Sequence, residues 1–150
     1  MRFLGRKWVE GGYDEQTTDL YWGVYLRHFE DIAADLPKMA RALGMLSQGK
    51  GFAGSDVAAT RLDRDAKTFK LVLRIQTIEG DVYLDINYLG VDPDAVDERA
   101  FDNVDFVLTD ELDIAPDECF EHRILLSPEG EFAIQFNDLQ LRINRPGEEE

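Results

Sequence analysis

The hydrophobic period of this chain changes once, beside a glycine-rich stretch, and that change bounds the folds open to it. Between residues 17 and 46, Leu20, Tyr21, Val24, Tyr25, Phe29, Ile32, Ala33 and Leu36 recur at the three- and four-residue spacing of one buried helix face. From Asp56 onward the spacing is two. Phe69, Leu71, Leu73 and Ile75 alternate with Lys70, Val72, Arg74 and Gln76, and Val82, Leu84, Ile86 and Tyr88 alternate with Tyr83, Asp85, Asn87 and Leu89. Residues 47 to 55, SQGKGFAGS, separate the two regimes and read as a mobile hinge. Helices followed by strands, without βαβ alternation, specify an α+β fold: an N-terminal helix pair packed on an antiparallel sheet of about six strands. The 150 residues suit a single domain, helical over 17–46, sheet over 56–144, with a frayed acidic tail over 146–150.

Local signals refine this layout. Thr17, Thr18 or Asp19 supplies the N-cap oxygen of the first helix. Pro37 disfavours helical geometry at Leu36, so the helix breaks there, Asp35 caps a second one, and Gly44 stops it. A two-residue Glu79-Gly80 turn sets Leu73 opposite Ile86 and Arg74 opposite Asp85. Ser127-Pro128-Glu129-Gly130 closes a last hairpin that pairs Ile124 with Ile134 and Leu126 with Phe132. Asn137-Asp138 then reads as a bulge or bend within one long final strand.

Charge is distributed unevenly. The net charge is −15, yet residues 92 to 121 hold twelve acidic side chains against Arg99 alone, −11, which leaves −4 for the remaining 120 residues. Such a field repels nucleic acid and anionic membrane, and it steers a basic partner inward. Asp92, Asp94, Asp97, Glu98, Asp110, Glu111 and Asp113 are therefore the candidate partner-binding residues. The competing use of this segment is a solubilising face. No apolar run reaches the length of a signal sequence or membrane span, and Cys119 is the one cysteine, so the expected setting is cytoplasmic.

Catalytic patterns are absent. Cys119 lies three residues before His122, on the opposite face of a strand, in an acidic field that weakens a thiolate. Two separated histidines, His28 and His122, make no zinc pattern, and residues 92 to 98 lack the spacing of a calcium loop. GKGFAG is not a phosphate loop, because no Lys-Ser/Thr pair follows its last glycine. The expectation is thus a protein with no cofactor, no metal and no enzymatic activity. Against it stands a small-ligand binder or enzyme using a polar patch of Arg74, Tyr83, Asp85 and Asn87 on the outer sheet face. A third reading is a homo-oligomer joined through a sheet edge or through exposed aromatics, with Trp8, Tyr13 and Trp22 in excess of what one helix face buries.

The order of an aromatic helix, a glycine-rich connector, the LVLRIQT hairpin, the acidic TDELD strand and FEHRILLSPEGEFAIQFNDLQLRI resembles small bacterial domains of unknown function, some similar to immunity proteins of polymorphic toxin systems. The resemblance covers residues 17 to 145, rests most on the terminal hairpin, and carries no functional residue across. It implies a small cytoplasmic protein that plugs or covers a toxin's active site.

Overall fold

The computed structural model describes residues 1–48 and 52–145. The frayed tail and the centre of the expected hinge lie outside them. The hinge's described flank is anchored, with Phe52 and Ser55 both buried. Three helices come first: α1 (Arg6–Val9), α2 (Glu15–Ile32) and α3 (Lys38–Gln48). Asp14, not a residue of the Thr17–Asp19 group, caps α2, accepting from Thr17 N at 2.7 Å. The break falls where Pro37 demands it: a 3-10 turn, Ala33–Asp35, ends at an extended Leu36.

The buried face of α2 is narrower than its apolar pattern suggests. Tyr25, Phe29 and Ile32 are buried, whereas Leu20 and Val24 are 65% and 44% exposed and Tyr21 lies at the margin. The half-buried Trp22 and Leu26 complete the inward face instead. A helix turns 100° per residue, so 22, 25, 26, 29 and 33 share one arc, and 20 and 24 fall opposite. Gly44 does not end α3 either. It sits buried mid-helix, where a Cβ would lie 2.5 Å from Phe29 Cζ and 3.1 Å from Leu112 Cδ1, so its function is close approach.

Seven strands follow: β1 (Asp56–Asp63), β2 (Thr68–Thr77), β3 (Gly80–Leu89), β4 (Phe106–Ala115), β5 (Cys119–Ser127), β6 (Glu131–Phe136) and β7 (Asp138–Asn144). They form two antiparallel sheets, ordered β1-β2-β3-β7 and β4-β5-β6, so the α+β class holds but the single six-stranded sheet does not. The division occurs at Asn137-Asp138. There the chain leaves its pairing with β5 and joins β3, with Asn137 N donating to Leu89 O at 2.8 Å. Gly90, at φ +69°, leaves space for the Asn137 side chain, whose Cγ would lie 2.9 Å from an added Cβ. A strand that changes sheet at a corner replaces the expected bulge.

Both hairpin registers differ from expectation by two residues. Leu73 faces Leu84 and Arg74 faces Tyr83, because the loop is Ile78-Glu79 and Gly80 already pairs with Thr77. Ile124 faces Phe132, and Leu126 N closes on Gly130 O at 3.0 Å. A shift of two keeps every side chain on its face, so the core composition is unaffected while cross-strand partners change. Leu71, Leu73, Leu84, Ile86, Tyr88 and Leu139 of one sheet share a core with Val107, Leu112, Ile124, Leu126, Phe132, Ile134 and Phe136 of the other. The Phe69 and Phe132 rings meet at 5.3 Å, and Tyr88 and Phe136 edge-on at 5.4 Å. Helix α2 packs on β4, and α3 on β4 and β7, the outermost strands of the two sheets.

Gly44→Ala separates packing from propensity. In an open helix the change stabilises by up to about 1 kcal/mol. Here the methyl enters the Phe29 ring, and a loss of about 1–3 kcal/mol is the expected outcome, read from the urea midpoint at unchanged slope.

Candidate functional site

Strand β4 buries Asp110, Glu111, Leu112 and Asp113 in succession, at 3%, 0%, 0% and 4% exposure. Three residues expected on an acidic docking surface are therefore inside the protein. Pairing assigns the faces: Asp110 and Leu112 lie beside Ile124 and His122, and Glu111 and Asp113 beside Arg123 and Glu121. As the outermost strand of its sheet, β4 also has a free edge, where Tyr25 of α2 accepts from Leu112 N at 3.0 Å.

On the outer face the carboxylates are fully engaged. Glu111 accepts from the backbone N–H of Arg2 at 2.9 Å, Phe3 at 2.7 Å and Leu4, and from Arg123 Nε at 3.1 Å. Asp113 meets His28 Nε2 at 2.7 Å, Arg123 Nη2 at 2.9 Å, Arg2 Nη1 at 3.1 Å and its neighbour Ile114 N at 2.8 Å. Burial pushes the Asp113 carboxyl up, but hydrogen bonds from His28, Arg123 and Ile114 outweigh it and hold the group at about 2. This cluster straps the first residues and α2 to the sheet.

The inner face carries a chain of polar groups through the core. His122, wholly buried, reaches Asp110 Oδ2 with Nε2 at 2.7 Å and the Tyr88 hydroxyl with Nδ1 at 2.6 Å. Ser47, near the C-terminal end of α3, donates to Asp110 Oδ1. The geometry fits the Tyr88 O–H donating to Nδ1, with Nε2–H and the Ser47 O–H donating to Asp110. Burial, then the Asp110 charge, raises the Tyr88 phenol well above its ordinary range, which keeps it a donor. Because Ser47 bonds the carboxylate and not the imidazole, and His122 has no exposed surface, the set lacks the nucleophile–base contact of a serine hydrolase.

Above Asp110 opens a cavity of about 340 Å³, lined by Trp8, Thr18, Asp19, Trp22, Ser47, Ala53 and β4 residues 108 to 110. Its volume falls in the range of small-ligand sites. Trp8 Nε1 donates to Thr18 O at 2.9 Å, and the Trp8 and Trp22 rings lie near-parallel with centroids 6.0 Å apart. Of the expected aromatic excess, Trp8 and Trp22 form a pocket wall, while Tyr13 packs against Tyr21 with centroids 5.0 Å apart. A partial sequence signal exists: Asp110 falls in phase with the core residue Leu112, although Ile114 in the same phase is 41% exposed.

The other candidates lie elsewhere. Asp92, Asp94, Asp97 and Glu98 are exposed on the connector between β3 and β4, where Arg64 approaches Asp94 at 3.2 Å and Glu98 at 3.7 Å. Arg74 is held by Asp56 and not by Asp85, which takes Lys70 Nζ at 3.4 Å. Asp85 and Asn87 line a second depression of about 490 Å³ with Met39, Lys70, Gln140, Leu141 and Arg142, while Arg74 and Tyr83 are not among its lining residues. Among the described residues, no group of three or more His, Cys, Asp or Glu is placed to hold a metal ion. No known protein family, curated protein or solved structure matches the chain.

Two outcomes follow from this geometry. Tyr88→Phe strands His122 Nδ1 in the core and is expected to cost about 1–3 kcal/mol in denaturant unfolding. Asp113, held at about 2 against an ordinary value near 4, contributes stability that is complete above about pH 4 and is lost as pH falls through about 2. Unfolding midpoints measured across that window should decline in the wild type and decline less steeply in Asp113→Asn.

Proposed function

We propose that this protein is a non-enzymatic interaction protein that receives a basic protein partner on its acidic connector, and that it neutralises a toxin in the manner of the immunity proteins it resembles. The observation that carries this reading is the division of its acids. Asp110, Glu111 and Asp113 are consumed by internal hydrogen bonds, whereas Asp92, Asp94, Asp97 and Glu98 stay at the surface. Arg64 answers Asp94 and Glu98 only as an exposed pair, worth less than about 1 kcal/mol and readily exchanged for a partner's cation. Asp92 also shares a cleft of about 240 Å³ with Val96, Glu121, Ile134 and Gln135, so connector and sheet present their charge together. Exposed charges of this kind govern encounter more than residence.

The test takes the basic protein that the immobilised chain retains at low salt from a lysate of its own cells. Its association is then followed by stopped flow. The rate constant is expected to fall several-fold on raising salt through the physiological range and on substituting Asp94→Asn, Asp97→Asn and Glu98→Gln together, with little change in dissociation. Failure to retain any basic protein, or equal association rates for wild type and variant, rejects the reading.

A further inference from the structure

The cavity over Asp110 combines three properties that select one ligand chemistry. Its wall is aromatic, with Trp22 and the pinned Trp8. Asp110, 97% removed from solvent, is among its lining residues, and so is a second acid, Asp19. Among the described residues the side-chain hydrogen-bond partners of Asp110 are Ser47 and His122. Glu111 and Asp113, by contrast, both meet the guanidinium of Arg123. Among the described residues no Lys or Arg pairs with Asp110, and low local dielectric amplifies the pull of a buried carboxylate on a cation. Indole faces add their own preference for cations.

We infer that this cavity is a binding site for an organic cation: a protonated amine or guanidinium on an apolar body, the charge directed to Asp110 and the body laid against Trp8 and Trp22. A neutral ligand gains no charge attraction from the two acids, and an anion is repelled by both. The site is separate from the connector that carries the proposed protein contact, so the two readings fail independently. The same chemistry is available from a free amine or from an arginine side chain of a protein.

Trp8 and Trp22 are the chain's two tryptophans, so fluorescence excited where tyrosine does not absorb reports this cavity. The full chain is titrated with 2-phenylethylamine, with its neutral counterpart 2-phenylethanol, and with the blocked peptide acetyl-Gly-Arg-Gly-amide. The amine is expected to give a saturable change, with the alcohol at least about tenfold weaker. Tighter binding of the peptide than of the amine assigns the site to a protein's arginine, and the reverse assigns it to a free amine. In Asp110→Asn, checked for folding by circular dichroism, the preference for amine over alcohol should vanish. Asp19→Asn removes an exposed carboxylate without touching the core and should weaken the amine severalfold even if the first variant does not fold. Equal responses to amine and alcohol in the wild type, or none to either up to roughly 10 mM, overturn the inference. The triple connector variant should titrate as the wild type does.

Discussion

Desolvation of three carboxylates on β4 is the constraint that the rest of this structure answers. Each buried ion loses hydration worth several kcal/mol, and only dense hydrogen bonding with opposite charge recovers it. The partners come from every quarter: backbone amides of residues 2 to 4, His28 of α2, Ser47 of α3, and His122 and Arg123 of β5. The helices are thus fixed to the sheets by polar contacts as well as by the apolar packing of Phe29, Leu43 and Leu112. Arg123 is central. Burial works to lower its pKa, but Glu121, Asp113 and Glu111 together raise it, so it is a permanent cation between three acids.

Acids of one sequence segment therefore work in two physical regimes. Those on the connector sit in water, screened within about 8 Å at physiological salt, and set a field. Those on β4 sit in a medium where each needs a named partner, and they set geometry. Asp110 stands between the regimes: buried, hydrogen-bonded, yet facing a cavity. That position distinguishes it from Glu111 and Asp113, which share the same strand and the same count of charge.

The period change, the break at Pro37 and the two hairpins were legible because each rests on local chemistry that context cannot easily override. The inward faces of β2, β3, β5 and β6 were legible for the same reason, surviving even a register error of two, whereas in β4 Val107 is buried and Phe106 exposed, the reverse of the expected alternation. What failed depended on contacts distant in sequence. Gly44 looks like a helix stop unless Phe29 is known to press on it. Asn137-Asp138 looks like a bulge unless Leu89 is known to receive Asn137 N in the other sheet. A run of acids looks like a solvated face unless Arg123 and the first four residues are known to cover it. Pattern supplies phase, whereas partners decide whether a charge in that phase is exposed or enclosed.

The clasp of Glu111 on Arg2, Phe3 and Leu4 joins positions as much as 109 apart. During synthesis these first residues leave the ribosome long before the carboxylate that holds them exists. Helices α2 and α3 can form while they wait, since their hydrogen bonds are local, but β4 stays without its outer cover until β5 delivers Arg123. Residues 2 to 4 therefore cannot be held until β4 supplies Glu111, and a polypeptide ending before β5 leaves Glu111 and Asp113 without the Arg123 guanidinium that answers them.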